Sequence, residues 1–329
     1  MRARRIVRRS VQAAAAAAAL ALGVGAWGWW VEPAVIVLPL RRLAYARFGI
    51  EPRVATVEGH EWPFLECGPA DGPPMLFLHG FGTSKDAMMQ MAAEFGRRGW
   101  RTVAPDLPGF GEHLAHGTER HDARFYVQGI GSFMDAVGMP RAVTVGTSMG
   151  GALACELAIL DPGRVEALLL LSPAGVEPPV RNAFMRRVDA GENPLDIASE
   201  EDFDRVMASV FARPPSVPAP YRRWFVGSAL ARREATLRIA DALKPFLMDG
   251  LRGRMGAVRA PSLVVYGSAD AVTDPSMIGV FASELPHART ETLAGAGHVT
   301  FSDDYPGTIR AMERFLEETG IGPAARAPR

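Results

Sequence analysis

The chain has 329 residues, 48% hydrophobic and 22% charged, a composition that buries a large core and is too apolar for a disordered segment. Lysine plus arginine and aspartate plus glutamate each number 36, so no basic excess favours nucleic acid as a partner. The two cysteines, Cys67 and Cys155, exclude a disulfide framework, and no zinc-ligand spacing is present.

Arg2, Arg4, Arg5, Arg8 and Arg9 precede an uncharged apolar run over residues 11–31. As a helix this run spans roughly the 30 Å of a hydrocarbon layer. The arginines would stay on the cytoplasmic side, with Trp27, Trp29 and Trp30 at the opposite interface and residues 33–40, ahead of Arg41 and Arg42, along the membrane surface. Residues 1–50 therefore read as basic segment, anchor helix and interfacial linker. The alternative is a secretory signal cleaved after Val24-Gly25-Ala26. Both readings put the rest of the chain outside the cytoplasm.

Residues 54–57 and 62–66 read as two short antiparallel strands around Gly59-His60. The solidly apolar run 75–78 is a strand buried on both faces, ending in His79-Gly80-Phe81-Gly82. A helix over 87–98, a strand over 101–104 and a helix over 123–137 follow. The next strand runs into Gly146-Thr147-Ser148-Met149-Gly150, and a helix leaves it. Small residues two positions either side of Ser148 permit a strained turn that exposes its hydroxyl. After a strand over 165–171 the rhythm stops, and residues 176–255 read as an inserted helical lid with helices near 199–211 and 221–247. Strands return at 262–266 and 290–293, and a helix over 308–318 closes the body before a frayed 322–329. Alternation of this kind implies a mostly parallel sheet with helices on both faces: an α/β core over 51–175 and 256–320, interrupted by the lid.

In such sheets ligands gather beyond the carboxyl ends of the strands. Ser148, Asp270 and His298 follow three of those ends, in the chain order of a nucleophile, an orienting acid and a general base. His298 would take the Ser148 proton and return it to the leaving group, and Asp270 would hold the imidazole tautomer. The amides of Phe81 and Met149 are candidate oxyanion donors. Asp274 is the rival acid, though followed by Pro275 it reads as a turn or helix cap; Asp106 reads as a structural turn and His79 as a turn-stabilising histidine. Phe184, Met185, Phe203, Met207, Phe211, Trp224 and Phe225 give the lid apolar surface for an acyl channel.

These motifs resemble the α/β-hydrolase superfamily from about residue 54 to 315. His79-Gly80-Phe81 with Lys85-Asp86, Val145 to Gly151, Ser172-Pro173-Ala174-Gly175 and the N-terminal anchor resemble membrane-anchored monoacylglycerol lipases and related bacterial lipases. The resemblance implies nucleophile Ser148, acid Asp270, base His298 and oxyanion amides at Phe81 and Met149, with no cofactor. It also implies a lipid or small-molecule ester as substrate, attachment to a bacterial inner membrane facing the periplasm (or secretion, if the signal is cleaved), and no obligate protein partner. Thr147 to Gly151 also resembles hydrolases that cleave carbon–carbon bonds in ring-fission products, and a non-catalytic ligand-binding member of the fold is a third reading. Gly111-Glu112-His113 departs from the family pattern by lacking a small serine after its Gly-x-Gly turn.

Overall fold

The computed structural model describes residue 18 and residues 23–113 and 120–323. Its strands are β1 (Glu51–Val57), β2 (His60–Cys67), β3 (Pro74–Leu78), β4 (Arg101–Pro105), β5 (Ala142–Thr147), β6 (Val165–Leu171), β7 (Ser262–Gly267) and β8 (Ala288–Leu293). They form one sheet in the order β1-β2-β4-β3-β5-β6-β7-β8. β1 pairs antiparallel with β2 and β2 with β4; the other neighbours are parallel. The unbroken apolar runs have a direct cause. Successive strand residues face opposite sides, and both sides are covered: Leu76 and Leu78 enter one core cluster, Met75 and Phe77 the other.

The first cluster is closed by α4 (Ala123–Ala136), α5 (Met149–Leu160) and α9 (Met277–Glu284), the second by α3 (Met89–Arg97) and α11 (Tyr305–Thr319). The short helix α10 (Thr300–Asp303) precedes α11. Between β6 and β7 stand α6 (Ala183–Asp189), α7 (Glu200–Val210) and α8 (Ala219–Asp249), a 31-residue helix that continues through Pro245. The sequence rhythm marks α7 and α8 but not α6, whose seven residues are too few to show a period. A cap starts α6 instead: the Asn182 side chain accepts from Met185 N at 2.9 Å and reaches the Ala271 carbonyl at 3.2 Å, tying this helix to the loop after β7.

At the N-terminus, α1 (Gly23–Trp30) and α2 (Ala34–Phe48) meet at a 100° bend. No single helix among the described residues is long and apolar enough to cross a membrane; this bent pair passes by length and composition only when taken together. Residues 11–17 and 19–22 of the expected anchor, and 324–329 of the expected frayed tail, lie outside the described residues. The stretch expected to lie along the membrane surface is the first half of α2. That helix is held to the body: Val37 and Tyr45 are buried, the Tyr45 hydroxyl donates to Asp86, and Arg41 donates to Glu112 at 2.5 Å.

Candidate active site

Ser148 sits between β5 and α5 at φ +53° and ψ −118°, a conformation a side chain adopts only when its surroundings impose it. Its neighbours leave no alternative. A Cβ on Gly146 would lie 2.3 Å from the Gly150 carbonyl oxygen, and one on Gly150 would lie 2.3 Å from that of Leu78. Ser148 N donates to Leu171 O at 3.0 Å, and its carbonyl accepts from Ala152 N and Ala174 N, so the turn is bonded on both sides. The side chain faces a cavity of about 160 Å3 walled by Phe81, Met149, Met185, Val188 and Val272. Among the described residues, neither the Phe81 nor the Met149 N–H donates a hydrogen bond, leaving two donors at the same cavity.

Asp270 and His298, 28 residues apart, meet at 2.9 Å between Oδ2 and Nδ1, both buried. The carboxylate is fully occupied. Oδ1 accepts from Val272 N at 2.8 Å and Thr273 N at 3.0 Å, while Oδ2 takes the Thr273 hydroxyl at 2.8 Å besides the imidazole. Four acceptor sites are filled by four donors, which fixes the carboxylate plane and through it the ring. Thr273 Oγ1 also lies 3.1 Å from His298 Nδ1 and lines the Ser148 cavity. No motif marks Thr273 in the sequence; its position three residues after an aspartate that begins a turn is the available signal. Asp274 is turned elsewhere, its Oδ1 accepting from Ser276 N at 3.0 Å as a local cap.

The loop bearing His298 is tied to the helical segment between β6 and β7. Asp303 accepts from Gly297 N at 2.8 Å on one side and from Ala212 N and Arg213 N, beyond the end of α7, at 2.9 and 3.1 Å on the other. Val299 N donates to Val210 O at 3.1 Å. Of the side chains between β6 and β7 expected to wall a channel, Phe184 and Met185 line the Ser148 cavity and Trp224 and Phe225 a second one. Phe203 instead packs against Phe225, ring centres 5.4 Å apart.

His79 and Asp106 have structural work. His79 is buried, with Nδ1 2.8 Å from Gly80 O and Nε2 accepting from Leu107 N at 3.0 Å. Burial lowers its pKa, the nearby Asp106 carboxylate opposing in part, so the ring stays neutral with both nitrogens engaged. Asp106 accepts from Lys85 N at 2.7 Å, Lys85 Nζ at 2.6 Å and Glu112 N at 2.8 Å. Burial works against the Lys85 charge, yet Asp106 and Glu112 outweigh it and raise its pKa. Asp106→Asn leaves this ammonium short of a buried partner, and the expected cost is about 3 kcal/mol in urea unfolding; a loss below about 0.5 kcal/mol, the range of ordinary surface changes, would contradict the assignment.

A family model described as the alpha/beta hydrolase fold matches residues 73–305. Lipase 1 of Psychrobacter immobilis is 27% identical over 263 residues, covering 79% of this chain and 82% of that protein. Monoacylglycerol lipase abhd6-B of Xenopus laevis is 26% identical over 287 residues, 82% of each chain. A membrane phospholipase A, described as a bacterial virulence factor, superposes with a TM-score of 0.85 at 28% identity over 94% of this chain and 99% of that one. The chain belongs to the alpha/beta hydrolase fold family, as an enzyme of the lipase and esterase type.

Proposed function

We propose that the chain is a serine carboxylic-ester hydrolase acting on lipid esters of the monoacylglycerol kind. Ser148 Oγ attacks the ester carbonyl as His298 takes its proton, and the Phe81 and Met149 amides bind the oxyanion. Collapse of the tetrahedral adduct breaks the ester bond, and His298 hands the proton to the departing alkoxide. Water, deprotonated by His298, then attacks the acyl-enzyme and releases the carboxylate, returning the proton to Ser148. Asp270 keeps Nδ1 protonated, so that Nε2 is the basic nitrogen. The observation that carries this reading is the buried Asp270–His298 pair, joined through Thr273 to the wall of the cavity that Ser148 faces.

The lipid preference is supported by the lipase relatives and by the apolar wall that α6 and α8 contribute, residues 176–255 acting as the lid. Attachment through the N-terminus is supported by the exposure of Trp27, Trp29, Trp30, Leu40 and Leu43; a mature chain beginning at Trp27 by intact mass would refute it. A panel of short p-nitrophenyl esters, monoacylglycerols and a vinylogous diketone tests the chemistry. Turnover of the esters, fastest on monoacylglycerol, is expected; cleavage of the diketone alone would replace this reading with carbon–carbon hydrolysis.

A further inference from the structure

A second cavity, of about 180 Å3, adjoins the first, and Phe81, Asn193 and Leu195 belong to the walls of both. One side of it is α8. There Ser228, Arg232 and Thr236 recur every four residues, so one helix face presents a guanidinium between two hydroxyls to the cavity.

The other charges on this wall are matched. Arg41 pairs with Glu112 at 2.5 Å and Asp86 at 3.6 Å, Lys85 with Glu112 at 2.7 Å, and Arg233 with Asp196 at 2.5 Å. Arg232 is the exception. Half-buried, it donates to the Gly111 carbonyl at 2.6 Å and makes no ion pair with a described residue. Burial lowers its pKa, and the one carboxylate that supports it, Asp106, is already bonded to Lys85. A guanidinium has five N–H donors in a planar fork, which suits the oxygens of a phosphate.

We infer that this cavity seats a phosphate carried on the alcohol part of an acyl ester, held by Arg232, with Ser228 and Thr236 bonding the adjoining polyol hydroxyls. The acyl chain then lies in the neighbouring apolar cavity and the ester bond falls between the two, beside Phe81. The substrate class is an acylated glycerol phosphate. The acyl half of this placement rests on Ser148 as nucleophile; the anion site does not.

Calorimetric titration of the full chain in neutral detergent separates the two parts. Wild-type protein is expected to bind sn-glycerol 3-phosphate at least about tenfold more tightly than either glycerol or inorganic phosphate, and Arg232→Gln to abolish that margin, as loss of a charged hydrogen-bonding group requires. Arg232→Lys keeps the charge and should retain part of it. In parallel, the ratio of kcat/KM for 1-oleoyl-glycerol 3-phosphate to that for 1-monooleoylglycerol should fall about tenfold in Arg232→Gln, mainly through KM. Glycerol binding as well as its phosphate, inorganic phosphate binding as well as glycerol 3-phosphate, or an unchanged ratio would each overturn the inference. Binding that depends on Arg232 in a protein that hydrolyses neither ester would uphold the anion site and refute the hydrolase reading.

Discussion

Ser148→Ala is expected to lower kcat on a p-nitrophenyl ester by about six orders of magnitude, leaving the residual rate over water that oxyanion donors and binding alone supply. The reason is chemical. On the proposed mechanism no acyl-enzyme forms without Oγ, and water must attack an unactivated ester. The fold should tolerate the change, because the positive φ at this position is imposed by Gly146, Gly150 and the backbone bonds to Leu171 and Ala174, none of which involves the hydroxyl. Steady-state rates beside a thermal melt check this. A variant retaining a tenth of the wild-type rate at unchanged stability would show that another group is the nucleophile.

The second large effect separates two acids four residues apart. Asp270→Asn should cost about four orders of magnitude in kcat. An asparagine amide cannot accept at all four contacts: if its oxygen receives the backbone amides of Val272 and Thr273, its NH2 group meets the Nδ1–H of His298 and favours the other tautomer. Asp274→Asn should change kcat less than about threefold, because an asparagine oxygen caps Ser276 N equally well. Rates of both variants on one ester decide the matter, and a reversed order would transfer the acid's role to Asp274.

Much of the fold, and the turn that carries Ser148, is legible in the sequence because it depends on local chemistry. A central strand covered on both faces must be apolar throughout, so the runs that became β3, β5, β6 and β7 stood out, and the turns worth inspecting were those at their carboxyl ends. The glycines around Ser148 are dictated by backbone approaches of 2.3 Å, so the elbow is visible as a pattern. What escaped depends on distant partners. α6 and α9, of seven and eight residues, are too short for periodicity and persist through tertiary packing. Thr273 and Asp303 act only after the chain brings residues 270, 298 and 212 together. The docking of α2 through Tyr45 and Arg41 joins positions 41 and 71 residues apart. Glu112, which stands where the family pattern leads one to expect a small residue, is explained by two cations that sequence alone does not place beside it, Lys85 and Arg41.

Covalent labelling tests the central claim most directly. A fluorophosphonate probe reacts only with a serine whose proton is removed by a neighbouring base, so incubation with the full chain followed by peptide mass mapping should find one adduct, on Ser148. Prior replacement of His298 by alanine should abolish it. Modification of a different serine, or equal labelling of the His298→Ala protein, would contradict the account.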